Sequence, residues 1–256
     1  MAVLGASAAA IAILVLLRQV LPADVLRASN DEVGNYLQAV GTIYAVLLAF
    51  VVYVVWGQFD AARQQVEDEA NEAVDLYRTA DGFPDEARAH VHGELERYVA
   101  EVLAAEWPAM ARRDEAVFER TMVHLDRVWE GLYCLDTTAE CQRALHAEAL
   151  SRFNDLSDAR SRRLTSARTR IPAGLKLLLY VGAFVMVASM YLVRVDSFAV
   201  HAIITGAMAG AVSHVLYLVR DLDDAFNGVW QVSPAAFERA ARYFARRRRN
   251  GEAAAG

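Results

Sequence analysis

Between Tyr36 and Trp56 the chain carries no Asp, Glu, Lys or Arg over 21 consecutive residues. As a helix, at 1.5 Å rise per residue, such a run is about 32 Å long and crosses a hydrocarbon core of about 30 Å. A helix apolar on every face is stable only inside a large core or a bilayer. Tyr36, Tyr53 and Trp56 lie near its ends, where aromatic belts form. Three more runs share this character. Met1 to Leu17, closed by Arg18 and Pro22, lacks the positive n-region of a signal peptide and is expected to be retained. Its small residues Gly5 to Ala10 predict close packing on one side. Leu175 to Val193 begins beside Lys176, whose ammonium can snorkel to the interface. Ser197 to Val219 again has no Asp, Glu, Lys or Arg. Only Arg194, Val195 and Asp196 separate the last two runs, so a tight helical hairpin is expected, because unpaired backbone is costly in lipid.

The material between the second and third runs is of another kind. Asp60 to Arg78 holds good helix formers and no Pro, so the second span is expected to continue as one helix. Asp81-Gly82-Phe83-Pro84 breaks it, with Pro84 suited to the start of a new helix. Leu95, Tyr98, Val99, Val102 and Leu103 recur at helical spacing, and that helix is expected to end near Trp107-Pro108. Val117, Met122, Leu125, Val128 and Trp129 mark another. Thr137 with Glu140 reads as a capping box for a helix running through Leu145 and Phe153. Ser233-Pro234 opens a last, amphipathic helix. The fold class expected is therefore all-α: an integral membrane protein of four transmembrane helices, with a helical cytoplasmic domain between the second and third. The boundaries expected are 1–56 for spans one and two, 57–173 for the helical domain, 174–219 for the second transmembrane pair, and 220–256 for an amphipathic helix with a basic tail.

Charge sets the orientation. Arg160, Arg162, Arg163, Arg168, Arg170 and Lys176 precede the third span, and Arg220, Arg239, Arg242 and Arg246 to Arg249 follow the fourth. The opposite side has Arg18, Arg27 and Arg194. The positive-inside rule then puts the middle domain and both termini in the cytoplasm, where Cys134 and Cys141 stay reduced. Near an anionic leaflet the tail arginines suit either lipid docking of the last helix or a solvated positive tail. A formal net charge of −6 argues against nucleic acid as a partner.

Chemistry is sparse. There is no phosphate loop, no HExxH and no nucleophile elbow. His90 and His92 fall on different helix faces. The acidic set Glu67, Asp68, Glu69, Glu72 and Asp75 reads as a solvated helix face. No catalytic residue, metal site or cofactor is expected. In the fourth span, Gly206 and Gly210 form a GxxxG that lets another backbone approach, either within one subunit or between subunits. His201 and His214 sit toward the ends of the same span, as interfacial histidines can.

Several stretches together carry a resemblance. Gly41-Thr-Ile-Tyr-Ala-Val-Leu-Leu-Ala-Phe50 runs into Trp56-Gly-Gln-Phe-Asp-Ala-Ala-Arg63 and then Glu69-Ala70. Glu106-Trp107-Pro108 and Asp221-Leu-Asp-Asp-Ala-Phe-Asn-Gly228 follow. The chain resembles the bestrophin-like family of bacterial membrane proteins over nearly its whole length and, more distantly, bestrophin anion channels. Those channels are homopentamers whose second span lines a narrow apolar neck. Matching Arg63 to their arginine puts Thr42, Val46 and Phe50 at the neck positions, one turn apart on one helix face. Thr42 is polar where the channels are apolar, and Ala225 stands where they have Pro before Phe226. With a weaker acidic stretch after it, no calcium is expected. The resemblance implies an oligomeric, pentameric chloride channel of the bacterial inner membrane, its partners being the lipid bilayer, copies of itself and anions. The alternative is a membrane-anchored helical interaction or signalling module that does not conduct.

Overall fold

A computed structural model describes residues 2–20, 23–112, 114, 116–135 and 139–255. Every regular element among them is helical. Four stretches are long and apolar enough to cross a membrane: Val3–Val20, one inside Asn30–Gly82, one inside Glu140–Met190, and Phe198–Leu222. The chain divides into two compact units, residues 1–57 with 170–223, and residues 58–169 with 224–256.

The first unit contains α1 (Ala2–Val20), α2 (Ala23–Ala28) and the first part of α3 (Asn30–Thr79). Two further apolar helices, Ala173–Met190 and Phe198–Leu222, complete it. The connection between those two runs over 191–197, longer than the three residues expected. Side chains satisfy its backbone. Asn30 donates from Nδ2 to the Arg194 carbonyl (2.9 Å) and accepts the Arg194 N–H on Oδ1 (2.8 Å). The Arg18 guanidinium donates to the Val195 carbonyl. Ser197 caps the helix Phe198–Leu222 by accepting from the Val200 N–H at 3.4 Å. With partners supplied to the Arg194 N–H and to the Arg194 and Val195 carbonyls, the helix can end at Met190 and the turn can open.

The second unit is built around its own apolar core. The second part of α3 contributes Val66, Ala73, Leu76 and Tyr77. A 3₁₀ turn at Ala80–Gly82 ends it, and α4 (Asp85–Glu101) starts after Pro84. Leu95, Tyr98, Val99 and Val102 are fully buried. The helix does not stop near Trp107-Pro108. It passes through a π-turn, Val102–Glu106, into α5 (Trp107–Arg112). The Trp107 N–H bonds to the Val102 carbonyl five residues back. That wider turn makes room for the Pro108 ring, which would strike the carbonyl four residues back in a regular helix.

α6 (Ala116–Tyr133) and α7 (Glu140–Arg168) add Phe118, Leu125, Val128 and Leu156 to the core. Thr137 of the expected capping box lies outside the described residues. Ala139 stands at the N-cap of α7 and offers no side-chain cap. The apolar helices of the first unit are α8 (Ala173–Met190) and α9 (Phe198–Leu222), and α10 (Ala235–Ala255) closes the chain. α10 corrects the expectation of a lipid-docked helix or a free tail. Its Phe237 and Phe244 are 0% and 1% exposed. Phe244 stacks on Tyr77 (centroids 4.3 Å apart), and Phe237 meets Trp107 edge-on. Arg239, Arg247 and Arg248 pair with Glu67, Asp81 and Glu96 of the same unit. The apolar stripe is therefore already spent on protein.

Candidate functional site

The face of α3 that matters is set by what holds its opposite side. Tyr44, Val51 and Val55 are buried. Tyr44 packs with Ala183 and Met186 of α8, and its hydroxyl donates to the Leu179 carbonyl at 3.2 Å. Gly182 makes this approach possible, because a Cβ there would collide with the Tyr44 ring. With that side pinned, Thr42, Val46 and Phe50 fall on the outward face, and Val46 and Phe50 are 67% and 58% exposed. Tyr53, one turn beyond, also points outward. The Thr42 hydroxyl donates back to the Gln38 carbonyl at 2.8 Å. Its proton is thereby spent within the helix, which lowers the polarity of the one polar member of the set.

Gly206 and Gly210 of α9 face α1. A Cβ on Gly206 would meet Ile11 Cδ1 at 3.0 Å, and one on Gly210 would meet Ser7 Oγ at 2.7 Å. Ser7 donates to the Gly206 carbonyl at 2.9 Å. The small residues of α1 and the GxxxG of α9 thus form one close helix contact inside the chain. His201, read as interfacial, is 3% exposed and bonds through Nε2 to the Met190 carbonyl at 2.9 Å, while His214 is exposed.

The second unit holds a group of charges that sequence reading passed over. Glu69 was expected on a solvated face, yet it is fully buried. Arg163 grips it in a fork, Nε to Oε2 at 2.5 Å and Nη2 to Oε1 at 3.0 Å. The same Nη2 reaches Glu106 Oε2 at 2.6 Å. Arg160, one turn earlier on α7, lies 2.6 Å from Glu106 Oε1 and donates to the Phe118 carbonyl at 2.7 Å. The Tyr98 hydroxyl donates to Glu69. Burial alone would lower the Arg163 pKa, but the Glu69 and Glu106 carboxylates hold it well above its ordinary value. Two arginines against two glutamates make the group neutral, which is what allows it to be buried. Glu69 and Glu106 both lie in the stretches that carry the resemblance. Arg160 and Arg163 counted only as flanking positive charge, and nothing in their spacing signals that they turn inward.

Asp223, just past α9, is likewise committed. Its Oδ1 accepts the Ile171 N–H at 2.7 Å, and its Oδ2 pairs with Lys176 Nζ at 2.7 Å. Phe226 packs edge-on against Trp107 with centroids 5.6 Å apart. The expected aromatic after the fourth span is therefore a core residue of the second unit.

The bestrophin-like domain pattern matches residues 4–237. The chain belongs to the bestrophin-like family. Solved structures share the fold of this bestrophin-like protein. A single-residue variant of a bacterial bestrophin homologue from Klebsiella pneumoniae aligns at a TM-score of 0.71, with 14% identity, over 93% of this chain and 98% of that one. A second variant of the Klebsiella pneumoniae homologue gives 0.68 at 12% identity, over 95% and 97%. A structure described as a membrane protein gives 0.67 at 15% identity, over 93% and 97%. No curated protein matches in sequence. The bestrophin-like chain is an all-helical membrane protein of that fold.

Proposed function

We propose that this chain is one subunit of a pentameric anion channel of the bacterial inner membrane. Thr42, Val46 and Phe50 face the conduction path, and residues 57–173 and both termini lie in the cytoplasm. The observation that carries the reading is the outward face of α3. It is uncharged from Tyr36 to Trp56, aromatic at Phe50 and Tyr53, and left open by the rest of its own unit. Brought around an axis by neighbouring copies, such faces form an apolar constriction that water leaves at rest and refills on opening. The role is transport rather than catalysis, and no cofactor is assigned.

The oligomeric state in lipid nanodiscs tests it. A fivefold particle with α3 at the axis is expected. A monomer or dimer without a central path contradicts it and favours the membrane-anchored interaction module. Orientation has its own test, since Cys134 and Cys141 are exposed and free. In intact cells a membrane-permeant maleimide should label them and an impermeant one should not. Labelling by the impermeant reagent would reverse the topology.

A further inference from the structure

We propose that the groove between α1, α8 and α9 holds one acyl chain of an anionic phospholipid, with Arg220 as the partner of its headgroup. The groove is an open trough of about 410 Å³ along the unit's surface, within the volume range of small-ligand sites. Ala9, Ala183 and Ala209 leave room between the larger Ile13, Phe184 and Leu216, and Tyr191 and Arg220 also line it. A narrow apolar trough suits a flexible chain without branches.

Length identifies the occupant further. From Ala209 to Arg220 the helix rises about 16 Å, roughly half of a hydrocarbon core of about 30 Å. The groove therefore spans one leaflet, apolar along its course and cationic where the headgroups begin. Arg220 is exposed there and forms no ion pair among the described residues. The neighbouring cation differs, because Lys176 is already held by Asp223 at 2.7 Å. A smaller recess of about 150 Å³, lined by Arg220 and by the Lys176–Asp223 pair, shares Tyr180, Leu216 and Arg220 with the groove and gives a phosphate ester room beside Arg220. A phosphodiester beside an unpaired guanidinium is the charge-assisted contact that this end lacks. The inference needs only the membrane fold and does not rest on conduction.

Native mass spectrometry of the full-length protein in detergent, titrated with phosphatidylglycerol or phosphatidylcholine, tests it. The wild type should retain one phosphatidylglycerol per chain with about fivefold preference over phosphatidylcholine, the effect of one cation near an anionic lipid. Arg220→Gln should bring the preference close to one while a lipid still binds. Ala9→Phe, which fills the groove, should lose both lipids. Equal retention of the two lipids by the wild type overturns the proposal, as does a preference that survives Arg220→Gln. So does an Ala9→Phe protein that keeps its lipid but falls apart as an oligomer, which would make the groove a subunit interface.

Discussion

Phe50 and Phe244 are the same side chain in opposite circumstances, one 58% exposed and the other 1%. Their units differ in the same way. The unit of residues 1–57 and 170–223 turns Leu4, Ile43, Phe184 and Ile203 outward and buries few large side chains. The unit of residues 58–169 and 224–256 gathers its aromatics inside and holds four charged side chains among them. In water the first arrangement exposes far more contiguous apolar surface than a soluble monomer tolerates. In a bilayer it costs nothing, because lipid tails are as apolar as leucine. The helices of the first unit therefore meet through glycine, alanine and interhelical hydrogen bonds. The second unit relies on burial and on paired charge. One chain thus uses two rules of cohesion, and substitutions should reveal which rule governs where.

The largest effect is expected at Arg163. Its removal as Arg163→Ala leaves Glu69 and Glu106 buried without their shared partner. Such a break costs about 3–5 kcal/mol, and it falls on Glu69, which loses its cation, while Glu106 keeps Arg160. Denaturant unfolding of the detergent-solubilised protein measures it. Arg163→Ala within 1 kcal/mol of wild type, by the same measurement, would mean the cluster is not held together by charge. Phe244→Ala comes next, at about 3 kcal/mol, from the loss of a buried ring stacked on Tyr77.

The first unit should answer to crowding instead. Gly210→Val drives a side chain into Ser7, whose Oγ lies 2.7 Å from the position of the first added carbon. It should cost about 1–3 kcal/mol by overpacking and loosen the Ser7 hydrogen bond to Gly206. Thermal melting in detergent reads this. An unchanged melting temperature would mean that α1 and α9 are not in close contact.

These contrasts show what the sequence could convey. Charge-free length betrays a bilayer directly, so the four spans and the continuous α3 were legible from Tyr36 to Trp56 onward. Helical spacing likewise exposed Leu95, Tyr98 and Val102 as core. Long-range partnership leaves no local trace. Glu69 sits among Glu67, Asp68 and Glu72 and looks like one more solvated acid, and only the arrival of Arg163 from 94 positions away makes it internal. The same holds for α10, whose aromatic stripe suits a lipid surface as well as it suits Tyr77 and Trp107. The π-turn before Pro108 is hidden for a different reason, since proline signals a break and a widened turn answers it without one.

The smallest effect expected concerns pH. Glu94 is 3% exposed. Burial pushes its carboxyl upward, but the hydrogen bond from His124 and the charges of Arg97 and Arg127 more than offset this and hold its pKa below the ordinary value. A depressed carboxyl stabilises the fold fully above the ordinary carboxylate range, and that contribution fades as pH falls through the lowered value. His124→Ala should therefore shift the acid-induced loss of stability to higher pH. Identical acid transitions in variant and wild type would remove Glu94 from the account.

The outward face of α3 is the central claim, and planar-bilayer recording of wild type and Phe50→Ala tests it most directly. Wild type should pass chloride current. Phe50→Ala widens and hydrates the constriction, so its conductance or open probability should rise. Its stability should stay within about 0.5 kcal/mol of wild type, as for an exposed site. A reproducibly silent wild type, or a Phe50→Ala protein that is several kcal/mol less stable and gains no current, would contradict it.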